Sequence, residues 1–180
     1  MASRRILVTG GTRSGKSRYA EGLLTDAPAV TYLAPGPRAD PTVDAEWAGR
    51  IAAHQARRPA HWTTVETDDL AGAVRAARQP VMIDSLGSWL TVALDRLEAW
   101  NAPAEAWTEA FDDQLEDLVD AWRSCRQRAV AVTSEVGWGL VAEHRSGRVF
   151  TDLLGTVNQA MAQASDAVVL MVAGRALRLP

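Results

Sequence analysis

One lysine of this chain stands in a glycine-rich segment whose spacing could bind phosphate. It is Lys16, and the other basic side chains among the 19 Lys and Arg residues are all arginines. An ammonium group is a compact point charge, whereas a guanidinium is a wider, planar fork. The segment has the spacing G-x-x-x-x-G-K-S and consists of Gly10, Gly11, Thr12, Arg13, Ser14, Gly15, Lys16 and Ser17. This spacing is the pattern of a phosphate-binding loop.

Each part of such a loop has a chemical task. Backbone N–H groups surround the phosphates, the lysine reaches the terminal phosphate oxygens, and the hydroxyl of the last residue ligates Mg²⁺. Residues 5–9 are an apolar, β-branched run typical of a buried strand, and residues 16–24 have apolar side chains at helical spacing. Since strand, turn and helix come in the required order, we predict that the chain binds a nucleoside triphosphate with Mg²⁺.

The rest of the sequence alternates between strand and helix patterns. Further strands are predicted at 29–33, 62–66, 81–84, 129–133 and 167–172, helices at 43–57, 70–78, 85–100, 104–125 and 149–164, and a returning strand at 176–179. Such alternation favours right-handed crossovers and a mostly parallel sheet. We predict an α/β fold of the P-loop NTPase class, with a mostly parallel, RecA-like sheet flanked by helices and an antiparallel terminal strand. One nucleotide-binding domain is expected over residues 1–180.

Two acidic residues follow predicted strands, at the sheet edge where open α/β proteins bind ligands. Asp84 ends an apolar strand, where P-loop proteins direct a carboxylate towards Mg²⁺, so Ser17 and Asp84 are the predicted metal ligands. The alternative for Asp84 is that it caps the next helix. Glu135 lies in a loop with two glycines, and we predict that it borders the nucleotide crevice; a solvated loop position is the equal alternative.

Composition excludes several other classes of function. A net charge of -3 and dispersed arginines argue against a nucleic-acid partner, and no apolar stretch approaches the length of a membrane span. Cys125 is the only cysteine, which predicts a reducing, cytoplasmic location. The histidines are His54, His61 and His144, without H-x-x-x-H spacing, so no zinc site is predicted. Spacing alone makes His54 an ordinary helix histidine.

Several motifs together resemble one enzyme family. Beside the loop, they are R-I-x-x-H-x-x-x-R-P at 50–59, D-S-L at 84–86, S-E-V-G at 134–137 and V-N-Q at 157–159. They resemble the bifunctional adenosylcobinamide kinase/adenosylcobinamide-phosphate guanylyltransferases of cobalamin biosynthesis, over essentially the whole chain. The loop is common to many proteins, but the combination of the histidine motif with S-E-V-G is specific to this family.

The resemblance implies two reactions. ATP or GTP first phosphorylates the aminopropanol hydroxyl of adenosylcobinamide. A histidine then takes GMP from GTP and passes it to adenosylcobinamide phosphate, giving adenosylcobinamide-GDP. The histidine that matches is His54, with Lys16 stabilising charge in both steps. The resemblance also implies a homotrimer, for which we expect apolar contact area from Trp89, Trp100, Trp107 and Trp122.

Two other functions stay open from the residues alone. One is a different P-loop kinase for a small alcohol, in which His54 is structural. The other is a RecA-like, nucleotide-dependent switch protein without a small-molecule acceptor. Transfer of label from α-labelled GTP to the protein would separate the first alternative from the bifunctional enzyme, and the second would need a macromolecular partner.

Overall fold

Seven strands form one sheet in the part of the chain that the computed structural model describes, which is residues 4–36, 42 and 45–180, with backbone only for residues 47, 50, 53, 54 and 57. The order across the sheet is β3-β2-β4-β5-β1-β6-β7, and all neighbours are parallel except β6 and β7. The strands are β1 (Arg5–Gly10), β2 (Val30–Ala34), β3 (Trp62–Glu66), β4 (Val81–Asp84), β5 (Ala129–Val132), β6 (Ala167–Val172) and β7 (Arg175–Leu179).

Six α-helices of the described chain connect these strands, and their bounds agree with most of the predicted ones. They are α1 (Lys16–Gly22), α2 (Ala45–Arg57), α3 (Leu70–Ala76), α4 (Leu86–Arg96), α5 (Thr108–Ser124) and α6 (Arg145–Gln163), with a 3₁₀ turn at Ala104–Ala106. The sheet and its flanking helices confirm the predicted fold class. Val43, which was predicted to begin the second helix, lies outside the described residues.

The helix predicted at 85–100 is too long, because α4 ends in a Schellman motif. Glu98 has the left-handed φ of 51°. Its N–H bonds to Asp95 O at 3.1 Å, and the N–H of Ala99 bonds to Leu94 O at 3.0 Å. Glycine is the usual signal for such an ending. Because a glutamate stands at this position, the sequence did not indicate that the helix ends here.

The two faces of the sheet bury alternate residues of each strand. Leu7 packs with the core beneath α3, α4, α5 and α6, whereas Val8 packs on the opposite face with residues of α1. β5 is buried throughout, but every residue of β7 is exposed. In the described part of the chain, no helix combines the length and the apolar character that a membrane span requires.

The tryptophans of the long helices lie in the core. Trp89, Trp107 and Trp122 are buried, and Trp100 packs against the same cluster. For Trp89, Trp107 and Trp122, the expectation that these side chains offer contact area to other subunits is therefore wrong, because helical spacing alone does not tell which face is covered.

An aspartate fixes the start of the central strand β1. The Oδ2 atom of Asp166 accepts the N–H groups of Arg4 and Arg5 at 3.0 and 2.8 Å, and its Oδ1 atom accepts the Arg5 guanidinium at 2.8 Å. The hydrogen bond from the Arg5 side chain lowers the pKa of Asp166 to about 2. Since this value lies below the ordinary 3.8, folding favours the ionised carboxylate. Its contribution is complete above about pH 4 and is lost as the pH falls through about 2.

We expect Asp166→Ala to lower the free energy of unfolding by about 1–3 kcal/mol at neutral pH, because hydrogen bonds to a charged group are lost. Asp117→Ala breaks a more exposed pair with Arg75 and should cost less. Urea unfolding measures both losses. The difference in the free energy of unfolding between wild type and Asp166→Ala should narrow between about pH 4 and about pH 2. Equal losses in the two variants, or a constant gap, would contradict this role.

Candidate functional site

The loop between β1 and α1 has a shape that two glycines make possible. A Cβ on Gly10 would lie 2.4 Å from the carbonyl oxygen of Met171, and its φ is 147°. Gly15 precedes α1 with a φ of 95°. On one side, the N–H of Glu135 donates to Gly10 O at 3.2 Å, and on the other the N–H of Gly174 donates to Ser14 O at 3.1 Å. The loop is thus bonded to the segments that follow β5 and β6.

Lys16 begins α1, and its ammonium lies over the loop. Its Nζ atom donates to Gly11 O at 2.8 Å. Burial lowers the pKa of Lys16, and the negative charge of Asp84 opposes that effect. An ammonium in partly buried surroundings interacts more strongly with phosphate than one in water. Ser17, the next residue, lines the same cleft as Lys16 and Asp84.

Asp84 is oriented by a buried tyrosine that sequence reasoning missed. The hydroxyl of Tyr32 donates to Asp84 Oδ2 at 2.8 Å. Burial and the adjacent Asp84 raise the pKa of Tyr32 well above its ordinary value, so the phenol keeps its proton at neutral pH. The guanidinium of Arg58 lies 3.4 Å from the centre of the Tyr32 ring and donates to Thr64 Oγ1 at 2.9 Å. The signal in the sequence was a tyrosine, an aromatic residue with a polar hydroxyl, within a mostly apolar strand.

Asp84 is not the residue that caps α4, so the helix-capping alternative is not supported. Ser85 is the N-cap residue of α4, and its hydroxyl accepts the N–H of Ser88 at 3.4 Å. The carboxylate of Asp84 instead borders the cleft.

One cleft of about 1000 Å³ brings most of the predicted residues together. Thr12, Arg13, Ser14, Gly15, Lys16, Ser17 and Asp84 line it. Gly10 and Gly11 belong to the base of the loop. Helix α2 forms another wall through Ile51 and Gln55. His54 lies on α2 between these two residues, and its imidazole is outside the described part of the structure.

Glu135, His61 and His144 are not among the residues that line this cleft. Ser134 lines it, but Glu135 is not among the described lining residues, and its Oε1 atom accepts the Thr9 hydroxyl at 2.7 Å. His61 and His144 are exposed and do not border the cleft. Within the described residues, no group of three or more His, Cys, Asp or Glu side chains could hold a metal ion.

The sheet, the loop and the carboxylate at the end of β4 define a P-loop nucleotide-binding protein with a RecA-like sheet. Two solved structures agree in fold. One is a prototypical ATPase from the type III secretion system of pathogenic bacteria, with a TM-score of 0.60, 14% identity and coverage of 93% of this chain and 50% of that chain. The other is the assembled ATPase EscN of enteropathogenic Escherichia coli, with a TM-score of 0.56, 13% identity and coverage of 95% and 43%. The chain thus spans half or less of these ATPases.

Comparison of sequences identifies the family. The profile of the family described as cobinamide kinase / cobinamide phosphate guanyltransferase matches residues 6–179. The chain is 41% identical to the bifunctional adenosylcobalamin biosynthesis protein CobU of Salmonella typhimurium and 37% identical to that of Escherichia coli, over 97% of this chain and 98% of each relative. It is 35% identical to CobP of Pseudomonas aeruginosa, over 94% of both chains. The chain belongs to the cobinamide kinase/cobinamide phosphate guanyltransferase family, as the motifs predicted.

We expect Lys16→Ala to lose nucleotide binding without losing stability, because burial already disfavours the charged amine in the folded state. Lys16→Arg keeps the charge but not the compact shape, and should bind almost as weakly as the alanine variant. Titration with a fluorescent GTP analogue measures the affinity, and thermal unfolding checks the fold. Near-normal affinity in Lys16→Arg would mean that positive charge alone is sufficient.

Proposed function

We propose that this chain carries out both reactions of its family in the one cleft. ATP or GTP phosphorylates the hydroxyl of adenosylcobinamide, and GMP from GTP is then transferred to adenosylcobinamide phosphate to give adenosylcobinamide-GDP. The observation that carries the proposal is the composition of the cleft. Its walls include the phosphate-binding loop, Asp84 and the helix that contains His54. Residues 1–180 act in this proposal as a single kinase and nucleotidyltransferase domain.

The loop is the proposed binding site for the triphosphate of GTP or ATP. The N–H groups of residues 11–16 would bond to phosphate oxygens, as in other glycine-rich loops that precede a helix. Lys16 would exchange its bond to Gly11 O for the terminal phosphates. Positive charge at this position stabilises the negative charge that spreads over the phosphoryl oxygens during transfer.

The residues present suit a magnesium ion, which we propose as the metal. Ser17 and Asp84 border the same cleft and would ligate it. Mg²⁺ commonly binds to one or two carboxylates together with substrate phosphates and water, so this sparse set of oxygen donors is appropriate. When bound, the ion neutralises charge on the phosphates. Tyr32 orients Asp84 through its hydroxyl, which fixes one carboxylate oxygen and the direction of the other.

His54 is the proposed nucleophile of the transfer reaction. A neutral imidazole nitrogen would attack the α-phosphorus of GTP, forming a P–N bond while the bond to the bridging oxygen breaks and pyrophosphate leaves. A phosphate oxygen of adenosylcobinamide phosphate then attacks the same phosphorus, and the P–N bond breaks so that the ring, protonated on its other nitrogen, leaves as neutral imidazole. The position of His54 on α2, next to residues that line the cleft, supports this assignment.

We also propose a homotrimer in the cytoplasm. The lone cysteine agrees with a reducing compartment. Apolar surface is available on the loop before α6, where Trp138 is 71% and Leu140 101% exposed, and on β7, where Leu177 is 57% exposed. Light scattering at micromolar concentration should give three chain masses, whereas a single chain mass would contradict the proposed assembly.

We expect His54→Asn to abolish protein-bound GMP while keeping much of the kinase step, because phosphoryl transfer needs the loop, the metal and an oriented hydroxyl. His61→Asn and His144→Asn are matched controls on exposed histidines outside the cleft, and both should still accumulate GMP. Mass spectrometry after incubation with GTP counts the adduct, which should be labile to acid and stable to base. Bound GMP on His54→Asn would mean that the nucleophile is another residue.

We expect Asp84→Asn and Tyr32→Phe both to weaken the affinity for Mg²⁺, and Asp84→Asn to weaken it more. The first removes the charge, and the second removes one hydrogen bond to that charge, worth about tenfold in affinity. Titration of Mg²⁺ against binding of a fluorescent GTP analogue measures the shift without turnover. The Tyr32 ring remains in the phenylalanine variant, so its stack against Arg58 persists. An unchanged titration in Asp84→Asn would remove Asp84 from the metal site.

A further inference from the structure

Two motifs that the proposed chemistry leaves unexplained meet beside the phosphate-binding loop. Asn158 of V-N-Q lies on α6, and Glu135 of S-E-V-G follows β5. Their side chains are joined by a hydrogen bond from Asn158 Nδ2 to Glu135 Oε1 at 3.3 Å. Asn158 is 9% exposed, and Glu135 connects it to Thr9 near the end of β1. A buried polar network is stable only when its members are satisfied, so its bonds define the positions of its members.

The amide of Asn158 uses its polar atoms in a fixed orientation. Its two N–H groups serve Ser134 O at 3.0 Å and Glu135 Oε1, and its Oδ1 atom accepts the buried Thr133 hydroxyl at 2.6 Å. An aspartate of nearly the same shape would turn oxygens towards the oxygens of Ser134 and Glu135. The network therefore requires an amide at this position and fixes the segment that follows β5.

Glu135 transmits this position to the two residues that lead into the loop. Its Oε1 atom accepts the hydroxyl of Thr9 at 2.7 Å, and its backbone N–H donates to Gly10 O at 3.2 Å. Thr9 is 5% exposed, so its hydroxyl is held away from water. On the opposite side, the Met171 carbonyl packs closely against Gly10. The first glycine of the loop is thus held between β6 and the backbone N–H of Glu135, a residue whose carboxylate bonds to Asn158 of α6.

We infer that Asn158 and Glu135 are positioning residues that hold the phosphate-binding loop for nucleotide binding, with Glu135 acting through one oxygen as a hydrogen-bond acceptor. The inference rests on the proposed function in one respect, which is that the loop binds GTP. Binding sites need their groups within about 0.5 Å of the productive geometry, so a displaced Gly10 should weaken affinity. Because only an acceptor oxygen is required, the amide of glutamine can replace the carboxylate.

The experiment measures the dissociation constant of a fluorescent GTP analogue for the full chain, well below its unfolding temperature. Thr9→Val removes the donor and Glu135→Ala removes the acceptor of the 2.7 Å hydrogen bond. Asn158→Asp replaces the N–H donor to Glu135 with an oxygen. We expect each to weaken binding by about tenfold, the effect of one lost charge-assisted hydrogen bond. Thr9→Ser and Glu135→Gln should restore affinity to within about threefold, since they keep the donor and the acceptor.

Ser165→Ala is the matched control for stability. The Ser165 hydroxyl accepts Trp122 Nε1 at 3.0 Å and donates to Met161 O at 2.7 Å, and Ser165 precedes β6 at the edge of the sheet opposite the loop. Its removal should lower the unfolding temperature and leave the dissociation constant unchanged. The double variant Thr9→Val with Glu135→Ala should bind as Glu135→Ala alone does, because the bond that Thr9→Val removes is already absent from Glu135→Ala.

The outcomes separate this inference from the proposed function. Wild-type protein that binds no GTP analogue would overturn the proposed function and the inference with it. Wild-type binding together with normal binding by Thr9→Val and Glu135→Ala would overturn the inference alone. Glu135→Gln that binds as weakly as Glu135→Ala would overturn the acceptor role. If Asn158→Asp does not fold, the variants of Thr9 and Glu135 decide, since both positions keep a conservative partner variant.

Discussion

The close approach of Gly10 to the carbonyl oxygen of Met171 is the constraint on which the site depends. A Cβ on Gly10 would lie 2.4 Å from that oxygen, which is too close. The chain must therefore turn from β1 into the loop at a residue without a side chain. This contact exists because β1 lies between β5 and β6, and the backbone after each neighbour bonds to the loop. The same strand order puts β4 one strand beyond β5 and brings Asp84 to the edge that carries Lys16.

Burial changes the pKa values of the groups at this edge of the sheet. Lys16 is half-buried, and its lowered pKa reflects the cost of holding an ammonium away from water. The protein tolerates this cost at a position where an anionic ligand can offset it, which is a common property of functional sites. Tyr32 illustrates the same principle on the acidic side, because a buried phenol that keeps its proton is a dependable donor to Asp84. The proposed kinase and transferase steps both draw on this pair of opposite charges.

The sequence predicted those features that depend on neighbouring residues. Strand and helix patterns located the loop, and the carboxylate of Asp84 followed from its place at a strand end. Contacts between distant segments were not accessible, such as Tyr32 with Asp84, 52 positions apart, or Thr9 with Glu135, 126 positions apart. The end of α4 was missed because Glu98 adopts a conformation that usually needs glycine. The burial of Trp122 was missed because an amphipathic pattern does not identify the element that covers it.

A single cleft for two reactions is the central claim of this account. The most direct test is competition between the two nucleotide uses, measured as the rate at which GMP from GTP accumulates on the protein. An ATP analogue that cannot transfer its terminal phosphoryl group should occupy the same loop and reduce this rate to zero at saturation, with GTP in excess restoring it. Accumulation of bound GMP that persists at saturating analogue would contradict the claim, because the two nucleotides would then occupy separate sites.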